Sequence, residues 1–161
     1  MSRPAGLREL LEQLLAAETR FVLVGGLAVN AWGYLRATRD IDIVPDPDPE
    51  NLDRLARLLE SLGGKVEVDG GQLASSAIGT FLKAGDRTLV TMDAGSVDVL
   101  QGLPQIPSYE RLRADAKPVE LDGIRVSICS LDDLLAMKRA STRPRDRDDV
   151  EALEALDGAD A

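Results

Sequence analysis

The sequence predicts an α+β protein, a mixed α/β arrangement in which a central mixed sheet is flanked by helices. Apolar residues recur at helical spacing in two long segments, Leu7 to Ala17 and Glu50 to Leu62. Short β-prone runs, such as Phe21 to Val24 and Arg39 to Val44, alternate with them. Late in the chain Asp122-Gly123 separates two further β-prone runs, and that dipeptide suits a two-residue hairpin turn with positive φ. With 161 residues and 44% hydrophobic content, the chain is expected to form one domain over 1–161 with a core able to offset the entropy of ordering the backbone.

In chain order, Leu7, Leu10, Leu11, Leu14 and Leu15 mark an amphipathic helix. Phe21 to Val24 is a strand that Gly25-Gly26 stops, and Leu27, Ala28, Val29 and Trp32 resume a helical pattern. A second strand runs from Arg39 to Val44, with Pro45, Pro47 and Pro49 ending it because proline cannot donate to a sheet ladder. The next helix places Leu52, Leu55, Leu58, Leu59 and Leu62 on one face and stops at Gly63-Gly64. Val66 and Val68 begin another strand. Residues 70–79, rich in Gly, Ser and Ala, read as a mobile loop. Three β-prone stretches, around Phe81, at Thr88 to Met92 and at Ser96 to Leu100, are expected to extend the sheet. A hairpin spans Val119 to Ile128. Ser130 then offers a helix N-cap with Asp133 three residues on. Pro144 divides the C-terminal helices of about 130–156, the last running from Asp146 to Leu156 before a frayed acidic tail. There is no internal repeat.

Composition removes several function classes. Cys129 is the single cysteine and histidine is absent, so intramolecular disulfides, Cys/His zinc sites and His-dependent triads are excluded. Chemistry must run on carboxylates, Lys, Arg, hydroxyls and backbone groups. The formal charge of −9 disfavours broad DNA binding, because Lys and Arg neutralising phosphates supply most non-specific affinity. It is equally the mark of a soluble surface. No apolar run approaches the roughly 18 residues that span a bilayer, and Met1 to Leu10 lacks an uninterrupted apolar segment and a small-residue cleavage site. The expectation is a cytoplasmic protein without membrane contact.

The chemistry-bearing pattern is Thr38-Arg39-Asp40-Ile41-Asp42-Ile43-Val44. Strand periodicity puts Asp40 and Asp42 on one face, about 7 Å apart, with Ile41 and Ile43 on the other. Such carboxylates repel unless a cation lies between them, and oxygen-only ligands suit Mg²⁺, with Mn²⁺ as a substitute. The plain alternative is a pair of solvated acids on an exposed strand face. Ser96-Val97-Asp98-Val99-Leu100 repeats the pattern, so Asp98 joins the other two if the strands are neighbours. Three acids are enough for two metal ions, the arrangement that activates an attacking hydroxyl and stabilises a pyrophosphate leaving group. Gly25 and Gly26, at a strand-to-helix turn, let backbone N–H groups approach phosphate, or else only close a tight turn. Arg36 and Arg39 either contact phosphates or pair at the surface with Asp46 or Asp48. Lys138, beside Arg139 on the helix after Ser130, is a candidate for triphosphate binding or simply part of a solvated face. The run Arg143-Pro-Arg-Asp-Arg-Asp-Asp reads as an ion-pair-rich turn at the last helix, with Asp146 or Asp148 near its N-terminus.

Gly25-Gly26-Leu-Ala followed by Gly33-Tyr-Leu-Arg-Ala-Thr-Arg-Asp40-Ile-Asp42-Ile resembles the nucleotidyltransferase (polymerase-beta-like) superfamily, and within it the minimal bacterial group that includes AbiE-type toxins. Ser130-Leu-Asp-Asp-Leu-Leu-Ala-Met-Lys138-Arg-Ala and Arg143-Pro-Arg-Asp146 resemble that group's C-terminal signature. The resemblance covers about Phe21 to Leu156 and implies a nucleotidyltransferase fold. It also implies catalytic and metal-binding roles for Asp40, Asp42 and Asp98, with Asp98 drawing the proton from the acceptor hydroxyl. Gly25 and Gly26 would meet NTP phosphates and Lys138 would hold the triphosphate. Where the superfamily's wider motif has Gly-Ser, Gly26 stands at the serine position, so a hydroxyl contact to phosphate is missing. The longer toxin relatives carry a helical domain with no counterpart in this sequence.

The leading expectation is an enzyme that moves NMP from an NTP, such as ATP, to a hydroxyl of tRNA or other RNA, protein or a small molecule, as a toxin with an antitoxin partner. A lincosamide-type antibiotic adenylyltransferase is the enzymatic rival, since it too has a Gly-Gly turn followed by Arg-Asp-Ile-Asp. A non-catalytic nucleotide-binding module of the same fold is the third reading.

Overall fold

In the computed structural model, which describes residues 6–159, one eight-stranded mixed sheet runs through the protein with helices on both faces. Residues 1–5, half of the segment expected to lack a secretory leader, and 160–161, the end of the acidic tail, lie outside the described residues. The elements are α1 (Leu7–Ala16), β1 (Phe21–Val24), α2 (Gly25–Ala31), β2 (Asp40–Pro45), α3 (Pro49–Ser61), β3 (Lys65–Val68), β4 (Gly71–Leu73), α4 (Ile78–Ala84), β5 (Thr88–Met92), β6 (Gly95–Val99), α5 (Tyr109–Asp115), β7 (Lys117–Leu121), β8 (Ile124–Ile128), α6 (Leu131–Arg139) and α7 (Pro144–Ala159). Across the sheet the order is β4-β3-β5-β6-β2-β1-β8-β7. The pairs β2–β6 and β1–β8 are parallel, and the other neighbours are antiparallel.

Strand periodicity divides the core in two. Leu23, Ile41, Ile43, Val97 and Val99 face the leucine stripes of α1 and α3. On the opposite face Val22, Val24 and Val44 pack with Leu112 of α5, Leu134, Leu135 and Met137 of α6, and Leu153 of α7. All four residues of β1 are buried, as expected of a strand covered on both sides. The second face matters for function: Asp40 and Asp42 have the same parity as Val44 and therefore point toward α6 and α7.

Local chemistry sets the boundaries. Ser108 and Ser130 cap α5 and α6, their Oγ atoms accepting from the N–H of Arg111 and Asp133 at 3.2 and 3.1 Å. Asp122 and Gly123 both take positive φ, 49° and 81°, in the β7–β8 turn. β1 passes straight into α2, and the reversal is made at Gly25 itself, whose φ of 66° lies in the left-handed region.

Three segments depart from the sequence expectation. Residues 70–79 are not a loop: β4 pairs with β3, a 3-10 turn at Ser75–Ala77 follows, and Ser75 Oγ donates to the carbonyl of Gly64. Phe81 lies in α4 and not in a strand, because Ile78 and Leu82, one helical turn apart, are both fully buried and Gly85 ends the helix in the left-handed region at φ 77°. The segment before the hairpin contains α5, whose single buried turn, Tyr109 and Leu112, is too short to give a periodic signal.

Candidate active site

The site grows from the register of two adjacent parallel strands. Asp42 of β2 stands directly opposite Asp98 of β6, and Asp40 opposite Ser96. The three acids, expected to meet if their strands were neighbours, do line one cavity of about 580 Å³. Gly25 lies against them. A Cβ on this residue would stand 1.9 Å from Asp42 Oδ2, and its φ of 66° also favours glycine. Burial, reinforced by the negative charges of Asp98 and Asp40, pushes the Asp42 carboxyl up to about 6, with Lys138 and Arg143 acting in the opposite direction. A divalent cation would relieve this crowding, and an all-carboxylate donor set suits Mg²⁺ or Mn²⁺. As the side chains stand, no trio of acids among the described residues is gathered at ligand spacing. Asp98 is instead turned onto Arg87, which donates from Nε to Oδ1 at 3.0 Å and from Nη2 to Oδ2 at 2.7 Å.

The cavity's far wall is a second carboxylate system. Lys138 is buried, with Nζ 2.7 Å from Asp146 Oδ1 and 3.1 Å from Asp149 Oδ2. Arg36 grips Asp149 with two bonds, Nε to Oδ1 at 2.7 Å and Nη2 to Oδ2 at 2.9 Å, and Arg143 Nε lies 2.9 Å from Asp146 Oδ2. Asp149 is fully buried and Asp146 nearly so. Hydrogen bonds from Lys138, Ser141 and Arg143 outweigh the burial of Asp146 and hold its carboxyl down at about 2. Asp149 is likewise lowered, chiefly by Arg36, against its own burial. Leu100, Leu103, Ile106, Leu134 and Met137 supply an apolar side to the same cavity.

Of the other residues singled out in the sequence, Gly26, Arg36 and Arg39 do not line the cavity. Gly26 leaves room for the loop before β2: a Cβ there would be 2.8 Å from Thr38 Oγ1. Arg36 is committed to Asp149, Arg39 is exposed, and Asp46 and Asp48 are held by Arg20 at 2.8 and 3.1 Å. Lys138 does line the cavity, but as a buried cation between two acids and not on a solvated face. Sequence reasoning missed Arg87 and the full reach of Arg143. Cys129 is no nucleophile, since burial pushes its thiol up to about 12.

Comparison with known proteins decides the family. The family described as "Nucleotidyltransferase of unknown function (DUF6036)" matches residues 5–160. The chain belongs to this family. As a member of this nucleotidyltransferase family it is a transferase, and the superfamily suggested by the Gly-Gly and Asp-Ile-Asp motifs is the right one. Solved structures agree in fold. The lincosamide antibiotic adenylyltransferase LnuA, solved with lincomycin bound, superposes with a TM-score of 0.68 at 18% identity, over 92% of this chain and 94% of that one. ANT(2″)-Ia in complex with adenylyl-2″-tobramycin gives a TM-score of 0.59 at 17% identity, over 94% and 90% of the two chains. A search of curated proteins finds no sequence match. Among the described residues no helix is long and apolar enough to cross a membrane.

Proposed function

We propose that this nucleotidyltransferase is metal-dependent and moves NMP from an NTP to a hydroxyl of a small-molecule acceptor. The observation that carries the reading is the direct pairing of Asp42 with Asp98, with Asp40 on the same face and Gly25 against Asp42, all opening on one cavity. Asp40, Asp42 and Asp98 would hold one or two Mg²⁺ ions, whose chemistry when bound is to screen the triphosphate and stabilise the pyrophosphate leaving group. Gly25 brings the start of α2 against Asp42 at the cavity lining, where the absence of a side chain would let a phosphate oxygen come close to the backbone. Asp98 accepts the proton of the acceptor hydroxyl on a carboxylate oxygen. Lys138, fixed by Asp146 and Asp149, contributes positive charge to the cavity wall with two of its three N–H donors directed at these acids, and Arg143 presents the more accessible cation.

A small-molecule acceptor is favoured over RNA or protein because this chain and LnuA match over nearly their whole lengths, and because the cavity sets an apolar wall opposite the acids. The AbiE-type reading, with a macromolecular acceptor and an antitoxin, rests on the sequence motifs alone. Calorimetric titration with Mg²⁺ and each NTP tests the first step: metal-dependent binding is expected, lost in Asp40→Ala plus Asp42→Ala. Binding that survives this double substitution refutes the reading. Labelled-NTP transfer to lincosamide, aminoglycoside, tRNA or protein then separates the acceptors, and transfer to tRNA or protein alone would favour the toxin assignment.

A further inference from the structure

Arg87 occupies both oxygens of Asp98, whereas among the described residues no ion pair or hydrogen bond reaches the carboxylates of Asp40 and Asp42. The register explains how it gets there. Leu89 of β5 pairs with Asp98 and Thr88 with Val99, so Arg87, two residues before Leu89 and on the same face, extends its guanidinium back over the acid. Its side chain remains 48% exposed while that of Asp98 is 14% exposed, so the pair joins a half-exposed cation to a largely enclosed acid. The guanidinium also feels the charges of Asp42 and Asp40.

We propose that Arg87 is a resident counter-ion on Asp98 that an arriving divalent cation displaces, and that the freed guanidinium turns to the phosphates of the bound nucleotide. The inference rests on the metal-dependent reading above. Solvent reaches and screens the half-exposed guanidinium, so a dication attracted by three carboxylates can break this pair. The planar fork that now matches a carboxylate matches a phosphate equally well. Arg87 thereby keeps Asp98 from being a fully unpaired charge before metal arrives and becomes a phosphate contact afterwards. A purely structural role, pinning the start of β5 to β6, would produce the opposite metal response.

The experiment follows free Mn²⁺ by electron paramagnetic resonance during titration of wild type, Arg87→Met and Arg87→Lys, without nucleotide. Removing the competitor should tighten Mn²⁺ binding roughly three- to tenfold in Arg87→Met, with Arg87→Lys between. The Mn²⁺-induced rise in Tm should be larger in Arg87→Met than in wild type, which also reports that the variant is folded. In saturating Mn²⁺, affinity for a non-hydrolysable ATP analogue should fall about tenfold, the loss of one charge-assisted contact. Mn²⁺ affinity that is unchanged or weaker in Arg87→Met overturns the counter-ion role, and unchanged nucleotide affinity overturns the phosphate role. Those failures leave the metal-dependent reading standing. Absence of Mn²⁺ binding in both wild type and Arg87→Met removes that reading and this inference together.

Discussion

Two groups of aspartates, one lining the cavity and one reaching it only through Asp146, are governed by opposite electrostatics. Asp40, Asp42 and Asp98 stand on neighbouring strands with Arg87 as their one ion-pair partner among the described residues, and Asp42 is raised to about 6. Asp146 and Asp149, on the first turns of α7, are enclosed by Lys138, Arg36 and Arg143, and both are lowered. The first group is short of positive charge and the second has more than enough. Side-chain chemistry is identical in the two, so the contrast lies entirely in what the fold places around each. An under-neutralised group in a cavity wall is suited to receive a cation, and a saturated one is suited to fix helices. Substitutions should therefore move function and stability in opposite directions at the two places.

The largest effect is expected at Asp42. Asp42→Asn should reduce nucleotidyl transfer by on the order of 10³-fold or more, since a neutral amide is a poor metal ligand. The same change should raise the stability of the metal-free protein by about 1 kcal/mol in urea denaturation, because it removes a buried charge crowded by two others. Loss of stability instead would show that Asp42 is a structural acid and would dissolve the contrast.

Next in size is Asp149→Asn. Among the described residues it leaves Lys138 with one carboxylate partner and Arg36 with only the Ala37 carbonyl, and breaking a buried pair from one side costs about 3–5 kcal/mol. Urea denaturation should detect that loss. Transfer activity measured well below the new midpoint should fall much less than in Asp42→Asn. An equal fall in activity would mean that the Lys138 network takes part in the reaction and is not confined to holding α6, α7 and the loop before β2 together.

How much of this was legible in the sequence follows from the range of each interaction. Asp40, Asp42 and Asp98 could be found because strand parity and flanking Ile and Val residues are local properties. Their meeting required only that β2 and β6 be adjacent. Arg87 offered no such signal, as its pairing depends on the β5–β6 register and on the left-handed turn at Gly85. Lys138 could be placed on a helix but not buried there, because burial arises when α7 folds back and delivers Asp146 and Asp149. The sequence around Arg36 offers phosphate or the nearby Asp46 and Asp48 as partners, yet its partner lies 113 residues along the chain. Phe81 reads as β-prone in the sequence because the Gly, Ser and Ala around Ile78 and Leu82 mask their helical spacing.

A smaller change, Gly25→Ala, probes how tightly the acid group is held from its other side. The added Cβ would collide with the Asp42 carboxylate and strain a backbone at φ 66°, for which a cost of about 1–3 kcal/mol is expected. Divalent-ion affinity should weaken along with stability, since Asp42 must turn aside. Unaltered metal affinity in a folded Gly25→Ala protein would mean that Asp42 reaches the ion by a route that avoids the start of α2.

The smallest effect, and the one that isolates the saturated group, is the acid limb of stability. Asp146 has a folded value of about 2 against an ordinary 3.8, so its ionised form is favoured by folding. That contribution is complete above the unfolded value and is lost as pH falls from about 4 toward 2, with Asp149 acting in the same direction. The loss should be on the order of 1 kcal/mol, because Arg143 at the rim remains open to solvent. Following the urea midpoint between pH 5 and pH 2 in wild type and in Asp146→Asn tests it. The substitution should lower stability at pH 5 and flatten the curve below pH 4. Parallel curves would assign the acid sensitivity to other carboxylates and remove the electrostatic distinction between the two walls of the cavity.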